Sequence, residues 1–209
     1  MDNSYKRVGF IGRFKPLHLG SAVMLETLCE KSEHVIIGIG STNKEKYNVR
    51  NPFTPEETKA MIDVFLKTKF NNYETVFIPD YAHIPEYRDG QKWREMVKER
   101  YGNLDAFVTG NLYVATLLKD DYHIVHPAML IPKEKHIYLS GTDVRIEMAK
   151  GGDWKQLVPE EVAAYLEQNT LVERFRKEFG LETLARMPEH YEFQVFPSIK
   201  QEHMYTTEV

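Results

Sequence analysis

Cysteine is almost absent from this chain: Cys29 is the only one in 209 residues, so neither an internal disulfide nor a cysteine-based metal site can form. Long hydrophobic runs are absent as well. No stretch approaches the roughly 18 consecutive apolar residues of a membrane span, and Met1-Asp2-Asn3-Ser4-Tyr5 lacks the apolar run of a signal peptide. There is no basic excess. Lys and Arg number 27 against 31 Asp and Glu, a net charge of −4, which argues against the broad basic face that nucleic acid requires. Three motifs are missing too. No Gly-x-x-x-x-Gly-Lys-Ser/Thr loop occurs, Gly38-x-Gly40 has no third glycine, and no His-Glu-x-x-His pair is present. No internal repeat, heptad or low-complexity tract interrupts the chain. These absences lead us to expect a soluble cytoplasmic protein with no nucleic-acid or membrane partner. They leave a small phosphate ligand open, because such a site needs only a few local cations and oriented amides.

What remains is an ordinary globular balance, 42% hydrophobic and 28% charged, in which short apolar runs alternate with helical stretches. That alternation predicts an α/β fold with a central parallel sheet flanked by helices. Strands are expected at Arg7–Ile11, His34–Ile39, Thr75–Ile78, Ala106–Thr109, Tyr122–Val125 and Lys135–Leu139. The first is almost wholly apolar, as for a strand covered on both faces. Helices are expected at Leu19–Glu30, Thr54–Lys67, Gln91–Tyr101, Leu112–Lys119, Thr142–Lys150, Pro159–Glu167 and Leu171–Phe179, the last ending at Gly180. Thr54-Pro55-Glu56-Glu57 is a capping box with proline at the first helical position. The pattern breaks near Leu184, so a domain over residues 1–181 is expected, followed by an extension over 182–209 whose Glu192–Phe196 is either an added edge strand or disordered.

The chemistry concentrates in Gly12-Arg13-Phe14-Lys15-Pro16-Leu17-His18-Leu19-Gly20-Ser21. A strand ends there, glycine and proline make a turn, and a helix begins. Free N–H groups and the positive end of a helix dipole suit a phosphate, and Arg13, Lys15 and His18 add charge and an imidazole. Ser140-Gly141-Thr142-Asp143-Val144-Arg145 repeats the idea at another helix start, with hydroxyls, amides and a guanidinium able to converge on phosphate. Ser41 follows a predicted strand, and Lys44, Lys46 and Arg50 make the next loop basic. Trp93, beyond the Ile84-Pro85-Glu86-Tyr87 loop, offers a stacking face for a flat cationic ring. Thr109-Gly110-Asn111 ends another strand, where α/β sheets bind ligands.

Gly-Arg-Phe-x-Pro-x-His-x-Gly after the first strand, Ile37-Gly38-Ile39-Gly40-Ser41, Asn51-Pro52-Phe53-Thr54 and Ser140-Gly141-Thr142-Asp143-Val144-Arg145 occur in the order found in one family. From about residue 6 to residue 178 the chain resembles the archaeal nicotinamide-nucleotide adenylyltransferases, which carry an HxGH motif. The resemblance implies a Rossmann-like nucleotidyltransferase domain that joins NMN and ATP into NAD and pyrophosphate. It implies that ATP is bound by Gly12, Arg13, Phe14, Lys15, His18, Arg50, Gly110, Asn111, Ser140, Thr142 and Arg145, with His18, Arg13 and Arg145 in catalytic roles. Gly20 would let the backbone approach the phosphates. NMN would meet Ser41 through its phosphate, and Ile84 and Trp93 through its nicotinamide. Mg2+ would accompany ATP, with no dedicated protein metal site, and a homo-oligomer is implied.

Ser21 departs from the motif, because the family has its second histidine there. That imidazole is expected to steady charge on the reacting phosphate, and losing one such donor costs about 3–4 kcal/mol in the transition state. Three accounts stay open. Ser21 is an inactivating substitution, or a natural one compensated by Lys15 or another cation, or a mark of a weak enzyme or pure binding protein. Two alternatives to the adenylyltransferase reading also stay open: another acceptor, such as phosphopantetheine or a flavin nucleotide, and a catalytically impaired nucleotide-binding protein.

Overall fold

The computed structural model describes residues 5–187. Five strands, β1 (Tyr5–Gly12), β2 (Ser32–Gly40), β3 (Tyr73–Ile78), β4 (Ala106–Val108) and β5 (Ile124–Val125), form one sheet in the order β3-β2-β1-β4-β5. Every pairing is parallel. Between them run α1 (Leu19–Lys31), α2 (Pro55–Leu66), α3 (Gln91–Tyr101) and α4 (Leu112–Leu118), and α5 (Gly141–Lys150), α6 (Glu160–Gln168) and α7 (Leu171–Ala185) follow. The chain steps outward from β1 through β2 to β3, then returns across β1 to lay down β4 and β5. The connections after β1 and β4 therefore leave in opposite directions and open a crevice at the carboxyl ends of the strands.

The two faces of the sheet are read off β2. Val35, Ile37 and Ile39 join a large buried cluster with Leu25, Leu28, Met61, Ile62, Val144 and Phe175, while Ile36 points the other way into a smaller one with Val97, Tyr101, Phe107 and Leu118. Strict alternation with both faces apolar is the signature of a strand covered by helices on each side. Tyr101 explains a glycine: its hydroxyl donates to the Phe10 carbonyl at 2.9 Å, and a Cβ on Gly38 would lie 1.9 Å from that oxygen. Gly38 makes room for a tyrosine rather than for a dinucleotide. The burial of Cys29 pushes its thiol up to about 12, with Glu26 and Glu30 adding to the effect, so it is inert.

Three expectations need correction. Lys135–Leu139 is not a strand. Lys133–Lys135 is a 3-10 turn, a His136 ring nitrogen bonds to the Ile131 carbonyl oxygen at 2.9 Å, and Ile137 and Tyr138 stand 43% and 91% exposed. A short apolar run with no neighbouring strand to pair with forms no ladder, and only Leu139 packs against the core. The fifth strand is shorter than expected because Tyr122 turns into the smaller cluster and donates to the Gly102 carbonyl at 3.0 Å. Finally, α7 does not stop at Gly180 but runs on to Ala185. Burial of Phe175, Gly180 and Thr183 along one face outweighs the roughly 1 kcal/mol a helical glycine costs. The boundary expected at residue 181 falls inside that helix, and Glu192–Phe196 lies outside the described residues. Among the described residues no helix is long and apolar enough to cross a membrane.

Candidate active site

The turn after β1 is built on unusual backbone. Phe14 has a left-handed φ of 52° and the Lys15–Pro16 peptide is cis. A Cβ on Gly12 would meet the Phe14 ring at 2.6 Å, so glycine is required where the turn folds back. His18 then caps α1. Its Nδ1 accepts the Ser21 N–H at 3.4 Å, while the Ser21 hydroxyl donates to the His18 carbonyl at 3.0 Å and accepts the His18 N–H at 3.3 Å. An accepting Nδ1 assigns the proton of a neutral ring to Nε2, which leaves that N–H as a donor. Burial, with a smaller push from Arg145, drives the imidazole down to about 4 against the pull of Asp143, so it is neutral at pH 7.

The second cationic motif closes on the first. Ser140 caps α5 in a capping box with Asp143. Arg145 is only 5% exposed; its Nη1 donates to the Lys15 carbonyl at 2.8 Å and its Nη2 to the Thr142 hydroxyl at 2.9 Å, while Nε is buried without a partner. Gly141 lets this helix start approach, since a Cβ would sit 3.3 Å from the same Lys15 carbonyl. Burial pushes the Arg145 guanidinium down to about 9, with Arg13 and Arg50 adding repulsion. Burial and then Arg50 likewise lower Arg13, against the pull of Asp80. The buried Lys15 ammonium donates to the Ser41 carbonyl at 2.9 Å and is pushed down to about 8 by desolvation and by Arg13.

Arg13, Lys15, His18, Arg50, Ser140 and Thr142 thus line, with Arg145, a pocket of about 260 Å³ whose described wall contains no carboxylate. Arg13, Lys15 and Arg145 are desolvated and pressed together, and Asp80 and Asp143, which lie outside the pocket wall, offset only part of that cost, so an added anion relieves it. Several at once call for a polyphosphate. Two larger cavities flank this pocket, and both share Gly12 and Arg13. One, of about 410 Å³, is walled by Ser41, Asp80, Tyr81, Tyr87, Trp93 and Tyr113. The other, of about 380 Å³, lies between His18 and Ser21 on one side and Ile131, His136 and Tyr138 on the other. A cationic pocket between two aromatic, ring-sized cavities has the shape of a dinucleotide.

The expected residues are placed unequally. Gly12, Arg13, Phe14, Lys15, His18, Arg50, Ser140, Thr142 and Arg145 converge, and Ser41, at φ 54°, joins them with Trp93 in the first cavity. Asn111 caps α4 by accepting the Val114 N–H at 3.1 Å, and it lines the Trp93 cavity. Gly110, the residue before it, is not in the wall of any of the three pockets; an added Cβ there would lie 3.5 Å from His126 and 3.7 Å from Pro127. Ile84 is outside these walls; it opens the 3-10 turn Pro85–Tyr87, and its N–H donates to the Tyr81 carbonyl. Gly20 has a different reason from the expected one: a Cβ there would lie 2.7 Å from the Ile137 carbonyl, so its close neighbour is this chain's own loop. Sequence reasoning missed Asp80, Tyr81, Tyr87 and Tyr113 in the first cavity and Ile131, His136 and Tyr138 in the second. Asp80 alone carried a signal, because it follows the carboxyl end of β3.

The cytidylyltransferase-like family matches residues 9–147. The chain is 33% identical over 174 residues to the nicotinamide-nucleotide adenylyltransferase of Archaeoglobus fulgidus, covering 81% of this chain and 95% of that one. It is 32% identical over 198 residues to that of Pyrococcus furiosus, covering 88% and 100%. The chain belongs to the nicotinamide-nucleotide adenylyltransferase family. The fold agrees with that of a bifunctional NMN adenylyltransferase/ADP ribose pyrophosphatase from Francisella tularensis, solved with AMP and a manganese ion. That match has a TM-score of 0.65 at 22% identity and covers 91% of this chain and 55% of that one. Family membership gives the three joined pockets a common reading, because an adenylyltransferase must hold two nucleotides end to end across a row of phosphates.

Proposed function

We propose that this protein transfers the adenylyl group of ATP to nicotinamide mononucleotide, forming NAD and pyrophosphate. The observation that carries the reading is the carboxylate-free cationic pocket between two ring-sized cavities, one of them containing Trp93. An oxygen of the NMN phosphate attacks the α-phosphorus of ATP in line. A P–O bond forms, the bond to the β-phosphate oxygen breaks, and pyrophosphate leaves with the electron pair. The attacking phosphate is already ionised, so no general base is needed.

The protein supplies position and charge. Arg145, Arg50 and the amide groups at the start of α5 hold the β- and γ-phosphates, with Ser140 and Thr142 beside them. His18 donates its Nε2–H to a phosphate oxygen, and Arg13 and Lys15 balance the charge that gathers between the two nucleotides. Ser41 receives the NMN phosphate and Trp93 stacks on the pyridinium ring. Asn111 lines the Trp93 cavity and faces the nucleotide held there, while the adenosine takes the cavity walled by Ile131, His136 and Tyr138. Magnesium enters as part of the ATP complex. The pocket's own donors are cations and N–H groups, which fit phosphate oxygens and leave the ion to phosphate and water.

The rival reading, a nucleotide-binding protein with little turnover, rests on Ser21, whose hydroxyl is committed to the His18 backbone and brings no charge. Incubation with ATP, NMN and magnesium separates the two, with NAD and pyrophosphate as readouts. Stoichiometric NAD supports the enzyme. ATP binding without NAD, with turnover restored about 100-fold or more by Ser21→His, supports the rival. Adenylylation of a flavin nucleotide or phosphopantetheine instead of NMN would change the acceptor.

A further inference from the structure

Arg50 is an odd residue to entrust with phosphate. It is exposed, it sits on an irregular segment between a 3-10 turn and α2, and it is repelled by Arg13 and Arg145. Its own loop offers a short bridge between Asn48 and Asn51, a bond from the Arg50 N–H to the Asn48 side chain at 3.0 Å, the buried residues Val49 and Asn51, and an ion pair from Lys46 to Asp80 at 3.5 Å.

The contacts that brace the segment on both sides of Arg50 come from α7, which lies outside residues 9–147, the span that the family matches. On one side of Arg50, Tyr47 donates its hydroxyl to Glu178, sets its ring edge-on to Phe179 at 5.2 Å, and lies under the Arg174 guanidinium at 6.0 Å. On the other side, Arg174 Nη2 donates to the Pro52 carbonyl at 3.1 Å and to Glu57 at 2.7 Å, and Phe53 faces Phe175 at 6.4 Å. Residues 174, 175, 178 and 179 occupy one face of the helix. The same helix reaches the other phosphate arginine, because Arg176 Nε donates to the Met148 carbonyl at 2.6 Å, on the helix that carries Arg145.

We infer that α7 is a strut that sets the gap between Arg50 and Arg145, with Arg174 as the positioning residue for the triphosphate. The inference rests on the reading of the cationic pocket as the triphosphate site. Arg174 does not line the cationic pocket. Its fork joins Pro52 to Glu57 and so fixes the loop from which Arg50 reaches inward.

A binding cycle tests this on the full chain, with calorimetric Kd values for magnesium–ATP and for NMN. The proteins are the parent, Arg174→Gln, Arg50→Ala and the double variant. Arg50→Ala should weaken ATP binding about 10-fold, and Arg174→Gln about 5- to 10-fold, with the NMN Kd within about twofold in each. The double variant should bind ATP no more weakly than Arg50→Ala alone, because a residue acting through Arg50 has nothing left to act through. Arg174→Lys, which keeps one donor, should recover part of the loss. Tyr47→Phe, which removes the Glu178 bond and keeps the ring, gives a second, milder cycle should Arg174→Gln fail to fold. Additive losses, or equal losses for ATP and NMN, overturn the inference while leaving the triphosphate reading intact. An unchanged ATP Kd in Arg50→Ala overturns both.

Discussion

At Lys15 the two halves of the site are joined through one residue. Its carbonyl accepts Arg145 and its ammonium donates to Ser41. Burial and Arg13 drive that ammonium from the ordinary 10.5 down to about 8, and a polyphosphate offsets both by bringing negative charge beside it. The sign follows. In the free protein the charged form is disfavoured, so this group lowers stability below about pH 8, and that penalty is lifted as pH climbs from 8 towards 10.5. ATP binding should therefore take up protons near pH 8. Calorimetry in two buffers of different ionisation heat checks this, and Lys15→Met should remove most of the uptake. Ser21 gives a prediction in the opposite direction. Its hydroxyl faces the His18 backbone, so Ser21→Ala should cost about 0.5–1 kcal/mol of stability as a lost cap contact and change NAD formation by less than about threefold. A loss of turnover beyond 10-fold would place the hydroxyl on the reacting phosphate.

At the scale of elements, the site is set by how helix starts meet loops. The start of α1 lies against the loop after β5, and the tightest point is Gly20 against the Ile137 carbonyl. Gly20→Ala improves the helix by propensity, by about 1 kcal/mol, yet it pushes a backbone oxygen that lines the second cavity. The expected result is ATP affinity lowered about 10-fold with NMN affinity kept, measured by titration. On the other side, α3 carries Trp93 into the first cavity. Trp93→Ala should weaken NMN about 10-fold, the scale of a lost aromatic and cation–π contact, and leave ATP within about twofold. Equal effects on both ligands would count against stacking.

Across the whole molecule, the buried cations Arg13, Lys15 and Arg145, only partly offset by Asp80 and Asp143, make the free protein less stable than its core alone would allow. Nucleotide should give that stability back. Magnesium–ATP at about 100 times its Kd adds about 2.7 kcal/mol, which for a chain of this size raises Tm by roughly 5–10 °C. Differential scanning fluorimetry measures it, and Arg145→Met should abolish the shift while inorganic pyrophosphate reproduces part of it in the parent protein.

The alternation of apolar runs and helical stretches, the capping box at Thr54-Pro55-Glu56-Glu57, and the two cationic motifs at strand and helix ends were legible in the residues alone. Each depends on local spacing, and local spacing survives in one dimension. Lys135–Leu139 differs for the complementary reason: its short apolar run Ile137-Tyr138-Leu139 is strand-like, but a strand exists only if a neighbour pairs with it. Gly180 was misread as a stop because helix propensity speaks before packing does, and burial along α7 overrules it. Local pattern alone thus carries the parallel α/β class, the cations Arg13, Lys15 and Arg145, and the imidazole of His18. Only the tertiary structure decided that Ser21 faces its own backbone, that Asp80 and three tyrosines wall the Trp93 cavity, and that α7 reaches back to the loop of Arg50. Those contacts join residues as far as 131 positions apart, as in Tyr47 with Glu178, and chain connectivity carries no record of them until the sheet brings the ends of its strands together.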